Sequence, residues 1–569
     1  MSGVTDRSAR PADDRGDRQA DTVFFGGVVR TMEPPAAPRR RERALPTAVA
    51  VKDGVIVRVG SDREICALAG PHTRSVDLAG RLLLPGFHDS HLHLLSYGLS
   101  LEKVYLDGAT SIDEIVRRGR DFLRQSGGPR GGWIQGRGWN NELWPGRRFP
   151  NRYDLDRIST DHPVTYTRTC GHIIAVNSKA LEVMGVTRDT PQLPGGQIDV
   201  DERGEPLGIF REEARVLVYE AIPRLEVADI KRLLVLGAQR ALRCGLTALQ
   251  TDDFEAVPEE DFPRVIEAYT QLAQEGALPV RVFEQCLLPR PEQLRRFLDM
   301  GYTTGYQVGR FKIGPLKLLA DGSLGGRTAF LDRPYADCPS TCGIGVFSQQ
   351  QLDELVETAH RAGMPAAIHC IGNATMQMAL DSIERAQLRW PRADMRHSII
   401  HCQITDRPLL QRFRALGVIA HIQPVFVAGD WHIVADRAGE ELAATSYNWQ
   451  TMAQLGIPIA CGSDCPVERF DVMENIYCAV TRQDFNGQPA GGWYPQQRLT
   501  VEQAVYGHTM GAAYASYDER VSGSLSVGKR ADMAVVDRDI FTIPPAQIKE
   551  ARVVMTVLDG EIVYEREER

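Results

Sequence analysis

Two histidines separated by one residue, His91 and His93 in PGFHDSHLHL, carry the first chemical signal of this chain. At i and i+2 of a strand both imidazoles leave from one face, where together they can chelate a metal ion. His88 is three residues before His91, faces away, and reads as structural or supporting. Asp89 shares the face of both histidines and can orient one of them as a hydrogen-bond acceptor. Two further apolar runs, AAIHCIG and SIIHCQ, end in His369 and His401. One such histidine alone reads as core; two successive strands that end this way point to ligands. His397, at the other end of its run, reads as structural. IACGSDCPV ends in Asp464, a carboxylate that can bind metal, take a proton from water and pass it to a leaving group. Cys465 next to it is not expected to be a nucleophile. No histidine partner is implied, and Cys370, Cys402 and Cys461 sit in equivalent places as small apolar fillers.

Lysine usage adds to this. Of the 66 basic residues only eight are lysine, so arginine serves wherever a plain positive charge is enough. A lysine in an apolar run is therefore expected to be needed as an amine. FKIGPLKLLADGSLGGRTAF holds Lys312 and Lys317, five apart and so on opposite faces of a regular strand. Lys317 is nearer the Asp-Gly-Ser loop that marks the strand's C-terminal end. A buried lysine there has a lowered pKa and can react with carbon dioxide to form a carbamate, an anionic two-oxygen ligand able to bridge two cations. The competing reading pairs Lys317 with Asp321.

The elements that must position these residues alternate. Eight strand-like runs are separated by segments of helical periodicity such as DIKRLLVLGAQRALRCG and QQLDELVETAHRAGM. This predicts an α/β fold, a (β/α)8 TIM barrel with its site at the C-terminal strand ends. The first two strands are too far apart for one helix, which predicts an inserted subdomain at about 108–225, over the barrel mouth. Strand-like segments at both chain ends, each with an Asp-Gly turn (Asp53-Gly54 and Asp559-Gly560), are too short for a core of their own. They predict one composite β-sandwich domain from 21–84 and 511–569, with the barrel over 85–510. Residues 1–20 read as a disordered tail and PPAAPRRRER as a solvated loop.

Composition sets the limits. The chain has 569 residues, 43% hydrophobic and 25% charged, which excludes fibrous and disordered classes. A net charge of −8 argues against nucleic-acid binding, and no apolar run is long enough to span a membrane. Eleven scattered cysteines fit reduced thiols and a cytoplasmic location.

Taken in order, PGFHDSHLHL, KLLADGSLGGRTA, IHCIGNA, IIHCQ and GSDCPV resemble the amidohydrolase superfamily, and more narrowly its amidohydrolase 3 branch, which includes N-substituted formamide deformylase. The likeness extends over nearly the whole chain. It implies a metal-dependent hydrolase with two metals, usually zinc. It assigns His91 and His93 to one metal, Lys317 to a bridging carbamate, His369 and His401 to the second metal, and Asp464 to the general base. The implied reaction is hydrolysis of a C–N bond of a small organic substrate, by hydroxide that the metals activate. Two other classes stay open: a metal-dependent lyase (decarboxylase) on the same barrel, and a non-catalytic metal-binding homologue. Asn373 and His421 depart from the branch's commoner residues. Candidate substrate contacts are His172, Trp139 and Asn140 in the insert and Arg327 in GSLGGRTA; Trp139, Asn140 and Arg327 read equally well as structural. The expected partner is a small molecule, with a homo-oligomer allowed.

Overall fold

The computed structural model describes residues 19–33, 44–125 and 132–567. All but the last two residues of the expected tail, and the expected loop at 34–43, lie outside these.

Eight strands form the barrel sheet: β1 (Phe87–Leu92), β2 (Leu246–Thr251), β3 (Arg281–Leu287), β4 (Phe311–Leu319), β5 (Ala366–Cys370), β6 (Ser398–His401), β7 (Ile419–Ile422) and β8 (Ile459–Cys461). Each pairs in parallel with the next, in chain order. Every residue of β1, β2, β6 and β7 is buried, as a sheet covered on both faces requires. The ring closes where β8 meets β1. The Asp464 N–H donates to the His91 carbonyl at 2.8 Å, and the His93 N–H donates to the Cys465 carbonyl at 2.7 Å. Gly462 permits this approach, since a Cβ there would meet the His91 nitrogen at 2.6 Å. Helices alternate with the strands and are capped by their own sequence. Ser348 forms a capping box with Gln351 ahead of Gln349–Arg361, and Asp406 caps Arg407–Leu416, which ends at Gly417 with φ 66°.

Strands from both chain ends build a second pair of sheets. One has the order Val55–Gly60, Ala48–Lys52, Thr22–Phe25, Arg74–Asp77; the other has Val28–Val29, Leu82–Pro85, Met533–Val536, Val553–Leu558, Glu561–Glu565. Phe24, Val49 and Ile56 from the first sheet share a core with Leu83, Met533 and Val557 from the second. The fold is thus a TIM barrel with a composite β-sandwich.

Residues 95–237 form a separate compact unit. Its six-stranded sheet runs Gly196–Val200, Pro206–Glu212, Ile173–Val176, Val164–Arg168, Ile134–Trp139, Val104–Tyr105. Trp139, Trp144, Leu155 and Tyr166 form one of its cores. The unit is wider than the 108–225 read from sequence, because flanking residues with helical periodicity belong to it. Among the described residues, no helix is long and apolar enough to cross a membrane.

Several histidines serve the core. His397 stacks on His360 with ring centroids 5.1 Å apart and its Nδ1 accepts from the Ala366 N–H at 3.0 Å, at the N-terminal ends of β5 and β6. Burial, with His360 beside it, pushes His397 down to about 3; burial likewise pushes His88 and His508 down to about 4. A folded-state pKa below the unfolded value of about 6.5 means that the unfolded chain binds the extra protons. Stability from keeping these rings neutral is therefore full above pH of about 6.5 and is lost as pH falls toward 4, by up to about 1.4 kcal/mol per pH unit for each ring. Urea midpoints measured on metal-free protein at pH 7, 6, 5 and 4 check this. A flat profile over that window contradicts it.

Candidate metal centre

The C-terminal ends of the barrel strands bring the chemistry-bearing residues together. Asp464 Oδ1 lies 3.1 Å from His91 Nε2 and 3.2 Å from His93 Nε2. Lys317 Nζ is 3.1 Å from the same His91 nitrogen, and its side chain is completely buried. The His401 ring is 5.7 Å from that of His91 and 4.4 Å from that of His369. Six residues separated by up to 373 positions in sequence thus converge from β1, β4, β5, β6 and the end of β8.

The backbone is shaped for this. His401, Cys402 and Asp464 have φ of 79°, 51° and 62°. Left-handed backbone at a non-glycine residue costs about 1–3 kcal/mol, so packing must hold these strand ends in place. At Asp464 the two β1–β8 backbone bonds on either side do so.

Glutamines orient the rings. Gln285 Oε1 accepts from His91 Nδ1 at 2.6 Å, while its amide nitrogen donates to the Ser90 carbonyl at 3.1 Å, which fixes the amide's direction. His91 Nδ1 therefore carries the proton, and its Nε2 lone pair faces Asp464 and Lys317. Gln423 Oε1 lies 2.9 Å from His401 Nδ1 and can accept from it. His93 Nδ1 meets the Asp252 carbonyl at 3.0 Å and Glu255 Oε2 at 3.1 Å. Asp89, expected as a ring acceptor, instead takes the backbone N–H groups of His91 and Ser463, each at 3.1 Å, and so joins β1 to β8.

Electrostatics follows from burial and close pairing. Burial, with Lys317 adjacent, pushes His91 down to about 4, so this imidazole is neutral at pH 7. Burial raises the Asp464 carboxyl, but its close pairing with the His93 and His91 rings outweighs it and holds the group well below the ordinary range. Burial opposes charge on His93, yet Asp464 and Glu255 hold it well above the usual value. Burial lowers Lys317 against the pull of Asp252, whose Oδ2 is 3.9 Å away. Asp252 is itself buried, and neither of its oxygens makes a hydrogen bond. Ligand atoms of His91, His93 and Asp464 lie within 4.8 Å of one another, and so do those of His93, Asp252 and Glu255. Imidazole nitrogens and carboxylate oxygens crowded so closely, one carboxylate lacking any donor, fit a divalent cation that would replace the proton on His93.

Other candidates lie elsewhere. Lys317 does not pair with Asp321, which takes the N–H groups of Ile371 and Gly372 and the Thr375 hydroxyl. Lys312 is structural: it is 2.9 Å from Asp518 and donates to the Ser516 carbonyl. Trp139 does not line a substrate site. It is fully buried in the insert core with its indole N–H on the Tyr166 carbonyl at 2.9 Å. Asn140 caps a turn through the Glu142 N–H, and Arg327 grips Asp337 through two hydrogen bonds of 3.1 and 2.7 Å. His172 is exposed and 2.8 Å from Glu212. Asn373 accepts from the Asp332 N–H, and His421 is buried with its Nδ1 unpartnered. Burial raises the Cys465 thiol, which removes it as a ready nucleophile.

Gln285, Gln423, Asp252 and Glu255 escaped sequence reading because none is in a recognisable ligand pattern. The available signal was an amide inside apolar strand runs, VFEQCLL and AHIQPVF. Gln285→Leu is expected to weaken metal affinity by about 10–100-fold, by freeing the His91 ring. Competition against a chromogenic chelator measures this, and unchanged affinity contradicts it.

A family model described as the amidohydrolase family matches residues 74–564. A Bacillus subtilis protein named as an amidohydrolase, YtcJ, is 34% identical over 546 residues, covering 96% of this chain and 99% of its own. The N-substituted formamide deformylase of Arthrobacter pascens is 26% identical over 564 residues, covering 96% and 98%. A crystal structure of an uncharacterised metal-dependent hydrolase from Pyrococcus furiosus superposes with a TM-score of 0.74 at 28% identity, covering 92% of this chain and 100% of that one. The chain belongs to the amidohydrolase family and is a metal-dependent hydrolase of that superfamily.

Proposed function

We propose that this protein hydrolyses a C–N bond, of the amide or N-substituted formamide type, in a small organic substrate. Two zinc ions would be held by His91, His93, His369, His401, Asp464 and a carbamate on Lys317. The observation that carries this reading is the placement of Asp464 Oδ1 within 3.1 and 3.2 Å of two imidazole nitrogens at the barrel mouth. The likeness to the Arthrobacter pascens deformylase supports the bond type. When bound, the cations supply Lewis acidity, which polarises a carbonyl and lowers the proton affinity of water.

The chain's own residues do the rest. Asp464, ionised and held at Oδ1, takes the proton of the attacking water and delivers it to the departing nitrogen. Gln285 and Gln423 keep His91 and His401 in the tautomer that turns Nε2 inward. His172, exposed on the insert, is the proposed substrate contact there. A cytoplasmic location and a small-molecule substrate as partner, with a homo-oligomer allowed, belong to the same proposal.

The test is metal analysis of the purified protein, followed by a screen of N-substituted formamides, N-acyl amines and aryl amides for released amine. Amine release that tracks metal content is the expected result. Carbon dioxide release without amine would favour the lyase reading, and no bound metal after zinc supplementation would favour a non-catalytic homologue.

A further inference from the structure

The same strands that carry the metal centre also wall a cavity at their N-terminal ends. His88 lies three residues before His91 on β1, and Lys312 five before Lys317 on β4; both line it. Its volume is about 20 Å³. That is room for one or two water-sized bodies and far too little for an organic substrate.

Charge in this wall is unbalanced. Four cationic side chains line it: Arg281, Arg310, Lys312 and Arg530. Arg281 is 2.9 Å from Asp532 and also meets Asp559, Arg310 is 2.9 Å from Asp559, and Lys312 is 2.9 Å from Asp518. Those three carboxylates neutralise three of the four cations. Among the described residues, the half-buried Arg530 guanidinium has neither an ion pair nor a hydrogen bond. One positive charge is left over.

The second observation is independent of that count. His88 is only 2% exposed, lines the cavity, and has no hydrogen-bond partner at either ring nitrogen. A buried imidazole with an orphaned N–H is an uncommon and costly arrangement. A single anion in the cavity answers both needs, taking the excess charge of Arg530 and the free N–H of His88. We propose that this floor cavity is a binding site for one chloride-sized monovalent anion, held by Arg530 and His88. The volume suits a body near the size of one or two waters, and the single excess charge suits a monovalent one. Because Arg281 and Arg310 pair with Asp532 and Asp559, and Arg530 lies three residues before the sandwich strand Met533–Val536, the anion would tie the barrel floor to that domain and be read as stability.

Bromide is the probe. Crystals of the full-length protein grown in sodium bromide are expected to show an anomalous peak within about 3.5 Å of the Arg530 guanidinium and the His88 ring. In solution, replacing gluconate by chloride or bromide at constant ionic strength is expected to raise Tm by about 1–3 °C, with saturation. Arg530→Met should lose this rise, and His88→Leu gives the same test should the first variant not fold. The absence of a peak overturns the proposal. So does a peak with no halide-specific change in Tm, which marks an adventitious ion only, or a Tm rise that survives both substitutions.

Discussion

Asp464→Asn is expected to lower turnover of the confirmed substrate by about 10³-fold, within the range for loss of a positioned general base, while the circular dichroism spectrum stays that of the parent. The substitution keeps shape and volume at a site where there is no slack. Asp464 is 6% exposed, its backbone sits at φ 62°, and its N–H is committed to the His91 carbonyl. What changes is charge. Close pairing with the His93 and His91 rings holds the carboxylate ionised against its burial, so it can accept a proton. An amide cannot accept that proton. Metal content measured on the same sample separates the two roles proposed for Asp464, because the amide oxygen can still face a cation. Turnover within a few-fold of the parent, with metal retained, would remove Asp464 from the role of base.

The residues behind this prediction were legible in the sequence because strand parity and strand ends are local properties. His91 and His93 share a face by spacing alone, and His369, His401 and Asp464 each close an apolar run. Lys312 and Lys317 were separable for the same reason, and the structure sends the first to Asp518 and the second to His91. The eight barrel strands were legible because buried parallel strands read as apolar runs between helical segments. Long-range partners were not. Asp252 approaches Lys317 only because β2 and β4 end at the same mouth, so the nearby Asp321 looked the better partner. The orienting role of Gln285 requires that β3 stand next but one to β1, on the far side of β2. Trp139 shows the other limit: an aromatic residue beside amides reads the same whether it lines a cleft or fills a core, and only packing against Trp144 and Phe149 decides.

Lys317→Met is expected to reduce bound metal from two ions toward one and to lower turnover by about 10³-fold or more, since it removes the ligand proposed to bridge the cations. The case for a carbamate rests on where the amine sits. Lys317 is completely buried, and burial lowers its pKa, so a larger share is the neutral amine that attacks carbon dioxide. Forming the N–C bond releases one proton. Asp252 is 3.9 Å away, has no hydrogen bond of its own, and is pushed by burial up to about 7, so it can take that proton near neutral pH. Neutral Asp252 would then face the new anion without repulsion. An arginine, which the chain uses wherever charge alone suffices, cannot supply this chemistry, and that accounts for one of the eight lysines at this place. Crystals grown with bicarbonate and zinc should show density for the carbamate beyond Nζ. An unmodified amine beside two occupied metal positions would overturn the bridge, and Lys317→Met protein that retains two ions would remove Lys317 from the metal centre altogether.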